Sequence, residues 1–130
     1  MQKFLHDAVS AGCQYAIIET TSHALIQNRV WGIRYHGAVL TNITHDHLDY
    51  HKTYQEYKEA KMLLFAHNPR FSVINADDEA VNDFKKLIAG KTYLYGIDNK
   101  SDISARKIIM EPNGSLFAAI TPDGQIPINL

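Results

Sequence analysis

Cysteine is nearly absent: Cys13 is the only one among 130 residues, so no internal disulfide can form. Long apolar runs are missing too, and none approaches the ~18 residues of a membrane span. Neither sign of charge is in excess. With 13 basic against 14 acidic residues and a formal net charge of -1, there is no surplus of positive charge to release counterions from a nucleic-acid backbone. The opening Met1-Gln2-Lys3-Phe4-Leu5-His6-Asp7 lacks the apolar core of a signal peptide. Together these absences predict a cytoplasmic protein with neither membrane nor nucleic acid as a partner. Internal repeats, low-complexity tracts and linker-like stretches are also lacking. The length predicts one domain, large enough for a core but small for a complete nucleotide-dependent enzyme.

Histidine and aspartate, by contrast, are concentrated in one place. His45, Asp46, His47, Asp49 and His51 follow directly on the apolar Gly37-Ala38-Val39-Leu40 and the polar Thr41-Asn42. Such density points to metal or phosphate chemistry, because like-charged neighbours are best tolerated where a cation offsets them. A solvated polar loop is the plain alternative. The cluster falls where a strand ends and its loop begins, the usual place for ligands in open α/β sheets.

Periodicity and turn chemistry predict the element order. Lys3 to Ala11 suits a helix ended by Gly12, Tyr15 to Ile18 a buried strand delivering Glu19 to an edge, and Val39 to Ile43 a second strand. Tyr54 to Ala66 reads as a helix terminated by Asn68-Pro69, and Phe71 to Ile74 as a third strand. An aspartate of Asn75-Ala76-Asp77-Asp78 can cap a helix from about Glu79 to Ala89, which Gly90 would end before a strand over Thr92 to Gly96. Beyond Asp98, Ile103 to Met110, Ser115 to Thr121 and Ile126 to Leu130 look like strands joined by Pro112-Asn113-Gly114 and Pro122-Asp123-Gly124 turns. The expected class is α/β: a mostly parallel, helix-flanked sheet over residues 1–98 and an antiparallel β-meander over 99–130.

On the helix from Tyr54, successive residues turn by about 100°, which groups Lys61 with Tyr54, Tyr57, Leu64 and Phe65 and points Gln55, Glu56, Glu59 and Leu63 away. An ammonium on an aromatic and aliphatic face loses hydration, which lowers its pKa and leaves a nucleophilic amine able to take up carbon dioxide. The resulting carbamate has two oxygens suited to Mg²⁺. A lysine whose stem packs while its ammonium snorkels fits the same spacing, and spacing alone leaves both open.

Five ordered pieces carry a family likeness: Glu19-Thr20-Thr21-Ser22-His23-Ala24-Leu25, Gln27-Asn28-Arg29-Val30, Thr41 to His51, Tyr57-Lys58-Glu59-Ala60-Lys61, and Val73-Ile74-Asn75-Ala76-Asp77-Asp78-Glu79. Taken together they resemble the Mur ligases, and within these the members that add the third residue of the peptidoglycan stem peptide. The resemblance implies a central ATPase domain of which this chain is a part. It implies that Glu19 serves Mg²⁺, that His47 ligates a second Mg²⁺ and that Lys61 is carbamylated, these three being the catalytic and metal-binding set. Thr21, where the family commonly has serine, would contact UDP-N-acetylmuramoyl-dipeptide with Gln27 and Arg29, while Asn42 would orient a ligand or hold its loop. His45 stands where many members carry arginine or another polar residue and receives no role. For the aspartates after Asn75, capping of the next helix is already a sufficient account.

By the same resemblance, the complete enzyme transfers the terminal phosphate of ATP to a substrate carboxylate, and the amino group of an amino acid then attacks the acyl phosphate. A phosphate-binding G-x-x-x-x-G-K-[ST] sequence is nevertheless absent. Gly90-Lys91-Thr92 fails as one, because Lys85 stands where a glycine is needed and the tripeptide precedes a strand. In the family that loop lies upstream of Tyr15 and a further domain lies downstream, so the 130 residues alone are expected to be catalytically silent. A second copy could cover exposed sheet edges and faces. Two other readings compete. One is a ligase-derived binding or scaffold domain. The other is a metallo-β-lactamase-type hydrolase, because His45-Asp46-His47-Leu48-Asp49 fits the first five positions of H-x-H-x-D-H. Tyr50 breaks that pattern, and His67 is the only imidazole left downstream of His51.

Overall fold

Thr53 starts the Tyr54–Ala66 helix by accepting the Glu56 N–H at 3.1 Å, while the Glu56 carboxylate reaches back to the Lys52 N–H at 3.0 Å, a close variant of the capping box. Asn68, with φ of 50°, ends it just ahead of Pro69, as the sequence predicts. The computed structural model describes residues 1–44 and 51–130. Over these the order is α1 (Gln2–Ser10), α2 (Ser22–Ile26), β1 (Gly37–Leu40), α3 (Tyr54–Ala66), β2 (Phe71–Asn75), α4 (Val81–Leu87), β3 (Lys91–Gly96), β4 (Ile103–Glu111), β5 (Gly114–Thr121) and β6 (Gly124–Asn129).

The six strands form one sheet in sequence order. Pairings from β1 to β4 are parallel, with Leu40 opposite Ile74 and Ile74 opposite Leu94, and β4, β5 and β6 pair antiparallel. The expected class, a helix-flanked and mostly parallel sheet continued by an antiparallel meander, is therefore the one observed. Helices α3 and α4 cross over between the parallel strands and cover one face. There Ala38, Leu40 and Ile74 pack on Tyr57, Phe65 and Phe84, and the rings of Phe65 and Phe84 meet edge to face at 5.0 Å. Pro127 falls on β6, at the outer edge of the sheet, where a missing N–H costs no ladder bond. Among the described residues, no helix is long and apolar enough to cross a membrane.

Three expectations need correction. Tyr15 to Ile18 is not a strand: the segment runs without helix or strand assignment, and Tyr15 and Ile17 are 88% and 101% exposed. An apolar run becomes a strand only when a neighbour takes up its N–H and C=O groups, and no described strand pairs with it. The strand expected over Val39 to Ile43 leaves the sheet after Leu40, because the Ile43 N–H donates to the Asp78 carboxylate at 2.6 Å instead of to a ladder. The helix expected from Glu79 to Ala89 shrinks to Val81–Leu87. Its approach is taken up by side-chain turns, Asp77 N–H to Asn75 Oδ1 at 2.9 Å and Ala80 N–H to Asp78 Oδ1 at 2.8 Å. At its far end Ile88 is already extended, so Gly90 does not cap it. Gly12 does follow α1 as predicted, with φ of 83° and its N–H bonded to Val9 O.

Asp77 fastens the β3–β4 connection. Its carboxylate accepts the Ile97 N–H at 2.6 Å and the Asn99 N–H at 2.7 Å, with Asp98 N–H at 3.3 Å. These bonds, led by that from Ile97, hold its pKa below the ordinary aspartate value. A carboxyl depressed in the folded state contributes stability that is present above its unfolded pKa and lost as pH falls through the folded one. Asp77→Asn is therefore expected to melt at lower temperature than the parent at neutral pH, with the gap closing below the carboxylate range. Thermal unfolding across that pH range checks this; a gap independent of pH would contradict it.

Candidate active site

The candidate site is assembled from two segments, the chain entering α2 and one face of α3. Thr20 anchors the first: its hydroxyl lies 3.2 Å from Ile18 O and 3.3 Å from the Tyr35 hydroxyl. Thr21 then caps α2 by accepting the Ala24 N–H at 3.1 Å, which leaves its hydroxyl hydrogen available to donate outward. At the other end of this five-residue helix Asn28 turns left-handed, with φ of 53°, and Arg29 N–H returns to Ala24 O at 2.9 Å. That cap sets Gln27 and Arg29 on the exposed rim.

Lys61 is half-buried on α3, with Nζ 5.6 Å from the centre of the Tyr57 ring. Burial pushes its amine below the ordinary lysine value, and the Glu19 carboxylate pulls it partly back up. Two of the three predicted metal-site residues are thus within reach of each other's charge. Glu19 itself is exposed. His47, the third, lies outside the described residues, as do His45, Asp46 and Asp49. Leu63 lies off the Lys61 face, as the helical wheel requires, and is partly exposed. Among the described residues no three His, Cys, Asp or Glu side chains gather as a metal cage.

Asn42 is exposed just past β1. The backbone beside it is held from the neighbouring strands: Asn75 Nδ2 donates to Thr41 O at 2.9 Å, and the Tyr95 hydroxyl lies 3.2 Å from the same oxygen. With Asp78 on the Ile43 N–H, these side chains fix the chain that leads into the histidine cluster. Sequence reading assigned the aspartates after Asn75 to capping and had no role for Tyr95. The signal available was their position at the carboxyl ends of parallel strands.

His51 was read as one member of a polar cluster, yet it is 3% exposed, with Nε2 2.8 Å from Oγ of the equally buried Ser22. A hollow of about 360 Å³ opens beside it between α2 and α3, bounded by Ile26, Glu56, Glu59 and Leu63. A second, of about 280 Å³, lies at the ends of β2 and β3 against β4 and β5. Glu19 and Lys61 line neither hollow; the walls of the second combine Ile97, Ile103, Phe117 and Ala119 with Asp77 and Tyr95, both already engaged in holding backbone. His67, the other imidazole of the hydrolase alternative, follows the far end of α3, roughly 20 Å along the helix axis from its start, while the rest of that pattern lies outside the described residues.

The comparisons with known proteins agree with this arrangement. The Mur ligase middle domain model matches residues 1–130. A UDP-N-acetylmuramoyl-L-alanyl-D-glutamate–2,6-diaminopimelate ligase of Geobacillus thermodenitrificans is 42% identical over 136 aligned positions, which cover 98% of this chain and 28% of the relative. That of Bacillus licheniformis is 40% identical, covering all of this chain and again 28% of the relative. The chain thus spans little more than a quarter of the length of these relatives. A solved diaminopimelate ligase of the same name superposes with a TM-score of 0.88 at 31% identity, over 98% of this chain and 27% of that one. A MurF from Acinetobacter baumannii, at 21% identity over 75% of this chain and 22% of that one, shares the fold with a TM-score of 0.68. A family match along the whole chain, together with a superposition over 98% of it, leaves one assignment: this chain belongs to the Mur ligase middle-domain family.

Proposed function

We propose that this chain is the central portion of a cytoplasmic, ATP-dependent ligase that joins an amino acid to UDP-N-acetylmuramoyl-dipeptide in peptidoglycan synthesis. The names of the relatives favour 2,6-diaminopimelate as that amino acid. The observation that carries the reading is the half-buried Lys61, its amine pushed down by desolvation and set against Glu19. An amine so placed spends more of its time neutral and can take up carbon dioxide. Its carbamate and the Glu19 carboxylate would then offer oxygens to Mg²⁺, which commonly takes one or two such protein ligands and completes its shell with water and phosphate oxygens. The donor set therefore fits magnesium, and His47 belongs to the same proposal. When bound, Mg²⁺ supplies neutralisation of charge on the transferring phosphoryl group.

The protein's own groups do the orienting. The outward hydroxyl of Thr21 and the guanidinium of Arg29 suit the phosphates and carboxylates of a nucleotide-sugar peptide, with Gln27 beside them and Asn42 steadying the loop. The division into an α/β portion over 1–98 and a meander over 99–130 is part of this reading. So is self-association or coverage by the rest of a longer ligase, which would bury Phe4, Tyr15, Ile17 and Trp31, all more than three-quarters exposed.

The test is ligation by the complete ligase of which residues 1–130 are the proposed central portion, here called the full chain, followed as amide product from ATP, UDP-N-acetylmuramoyl-dipeptide and diaminopimelate. Magnesium-dependent product is expected from the full chain and none from residues 1–130 alone. Substrate binding without turnover by the full chain would favour the scaffold reading instead.

A further inference from the structure

We propose that Ser22 and His51 are a positioning pair that fixes α2 against α3 and so sets the spacing between the Glu19–Thr21 segment and Lys61. The inference rests on the ligase reading of those residues. Ser22 is 2% exposed and His51 3%, and Oγ and Nε2 lie 2.8 Å apart across 29 residues of sequence. Buried polar atoms are kept when they are mutually satisfied, and a single hydrogen bond has the direction that apolar packing lacks. Direction matters here because α2 has only five residues and Leu25 is its one buried apolar side chain. A helix that short holds no conformation by itself and takes its orientation from what it docks on.

The pair sits between the two halves of the site. Ser22 directly follows Thr21 and is three residues from Glu19. On the other side the His51 ring stands 5.3 Å from the buried Tyr57 ring, over which Lys61 Nζ lies at 5.6 Å. His23, one residue further along α2, contacts the same imidazole at 5.7 Å between ring centres. A continuous path of contacts therefore runs from Ser22 through His51 and Tyr57 to Lys61. Neither Ser22 nor His51 needs to touch substrate or metal to act in this way.

The experiment compares Ser22→Ala, His51→Leu and His51→Gln in the full chain, with three readouts: the thermal midpoint, Mn²⁺ affinity by electron paramagnetic resonance, and steady-state ligation. Ser22→Ala and His51→Leu are expected to weaken Mn²⁺ binding and lower kcat by about tenfold each, with KM for the amino acid nearly unchanged. His51→Gln, whose amide can still bond to the serine hydroxyl, is expected to recover most of both losses. The proposal is overturned if folded Ser22→Ala stays within about twofold of the parent, or if His51→Gln is no better than His51→Leu. A fall in thermal midpoint with unchanged Mn²⁺ affinity would also overturn it, leaving a merely structural bond. Should His51→Leu not fold, Ser22→Ala and His51→Gln decide. A parent that binds Mn²⁺ but forms no product would defeat the ligase reading while the variants' Mn²⁺ affinities still judge the pair; a parent that binds no Mn²⁺ defeats both.

Discussion

Lys61→Arg in the full chain is expected to lower kcat on the order of 10²- to 10³-fold, as severely as Lys61→Ala. Chemistry rather than charge decides this outcome. Were Lys61 needed as a cation, a guanidinium of similar reach would preserve much of its work. Burial on α3 pushes the amine below its ordinary pKa, against the pull of the Glu19 carboxylate. A neutral amine can become a carbamate, whereas arginine, charged at any accessible pH, cannot. Carbon-13 NMR in labelled bicarbonate should show a carbamate resonance in the parent that is missing from both variants. If Lys61→Arg kept about a tenth or more of the parental rate, the carbamate role would be lost and an ionic one would stand.

The largest effect on stability is expected at Phe84, the fully buried ring that joins α4 to α3. Phe84→Ala removes an edge-to-face partner of Phe65 at 5.0 Å and opens a void beneath helices that cover Ile74, itself 0% exposed. Loss of the transferred surface together with a cavity that neighbours cannot fill costs about 3–5 kcal/mol for such a change. That is a large share of the ~5–15 kcal/mol that holds a domain of this kind together. Denaturant unfolding of parent and variant measures it directly. A loss under about 1 kcal/mol would mean that α4 can settle into the gap, and that the core is less tightly specified than its burial implies. Leu63→Ala, on the exposed side of α3, provides the contrast.

Much of the architecture was legible because it is written locally. The whole of α3 was readable from its helical periodicity and an Asn-Pro stop, and its span matches the reading residue for residue. The strands of the meander follow from the Asn113-Gly114 and Asp123-Gly124 turns that separate them. The family resemblance was legible for another reason. Short ordered pieces such as Tyr57 to Lys61 constrain chemistry wherever they occur, and the match over residues 1–130 upholds it.

What failed were readings that treated a property of pairs as a property of one segment. Ala16-Ile17-Ile18 has the composition of a strand, but a strand needs a ladder, and Ile17 is bare. Asp77 and Asp78 looked like caps because a cap was the nearest local use for them. Their main partners are instead the amides of residues 97–99 and of Ile43, over 19 positions away in either direction. His51 could not be told from its polar neighbours until Ser22 was seen against it.

By itself the sequence determined the span of α3, the turns of the meander, and which residue types are available for phosphoryl and metal chemistry, since each of these depends on neighbours a few positions apart. Tertiary structure alone decided that Lys61 loses water, that His51 is buried, and which aspartates bind backbone, because burial and partnership arise only when distant stretches of chain exclude water from the same place.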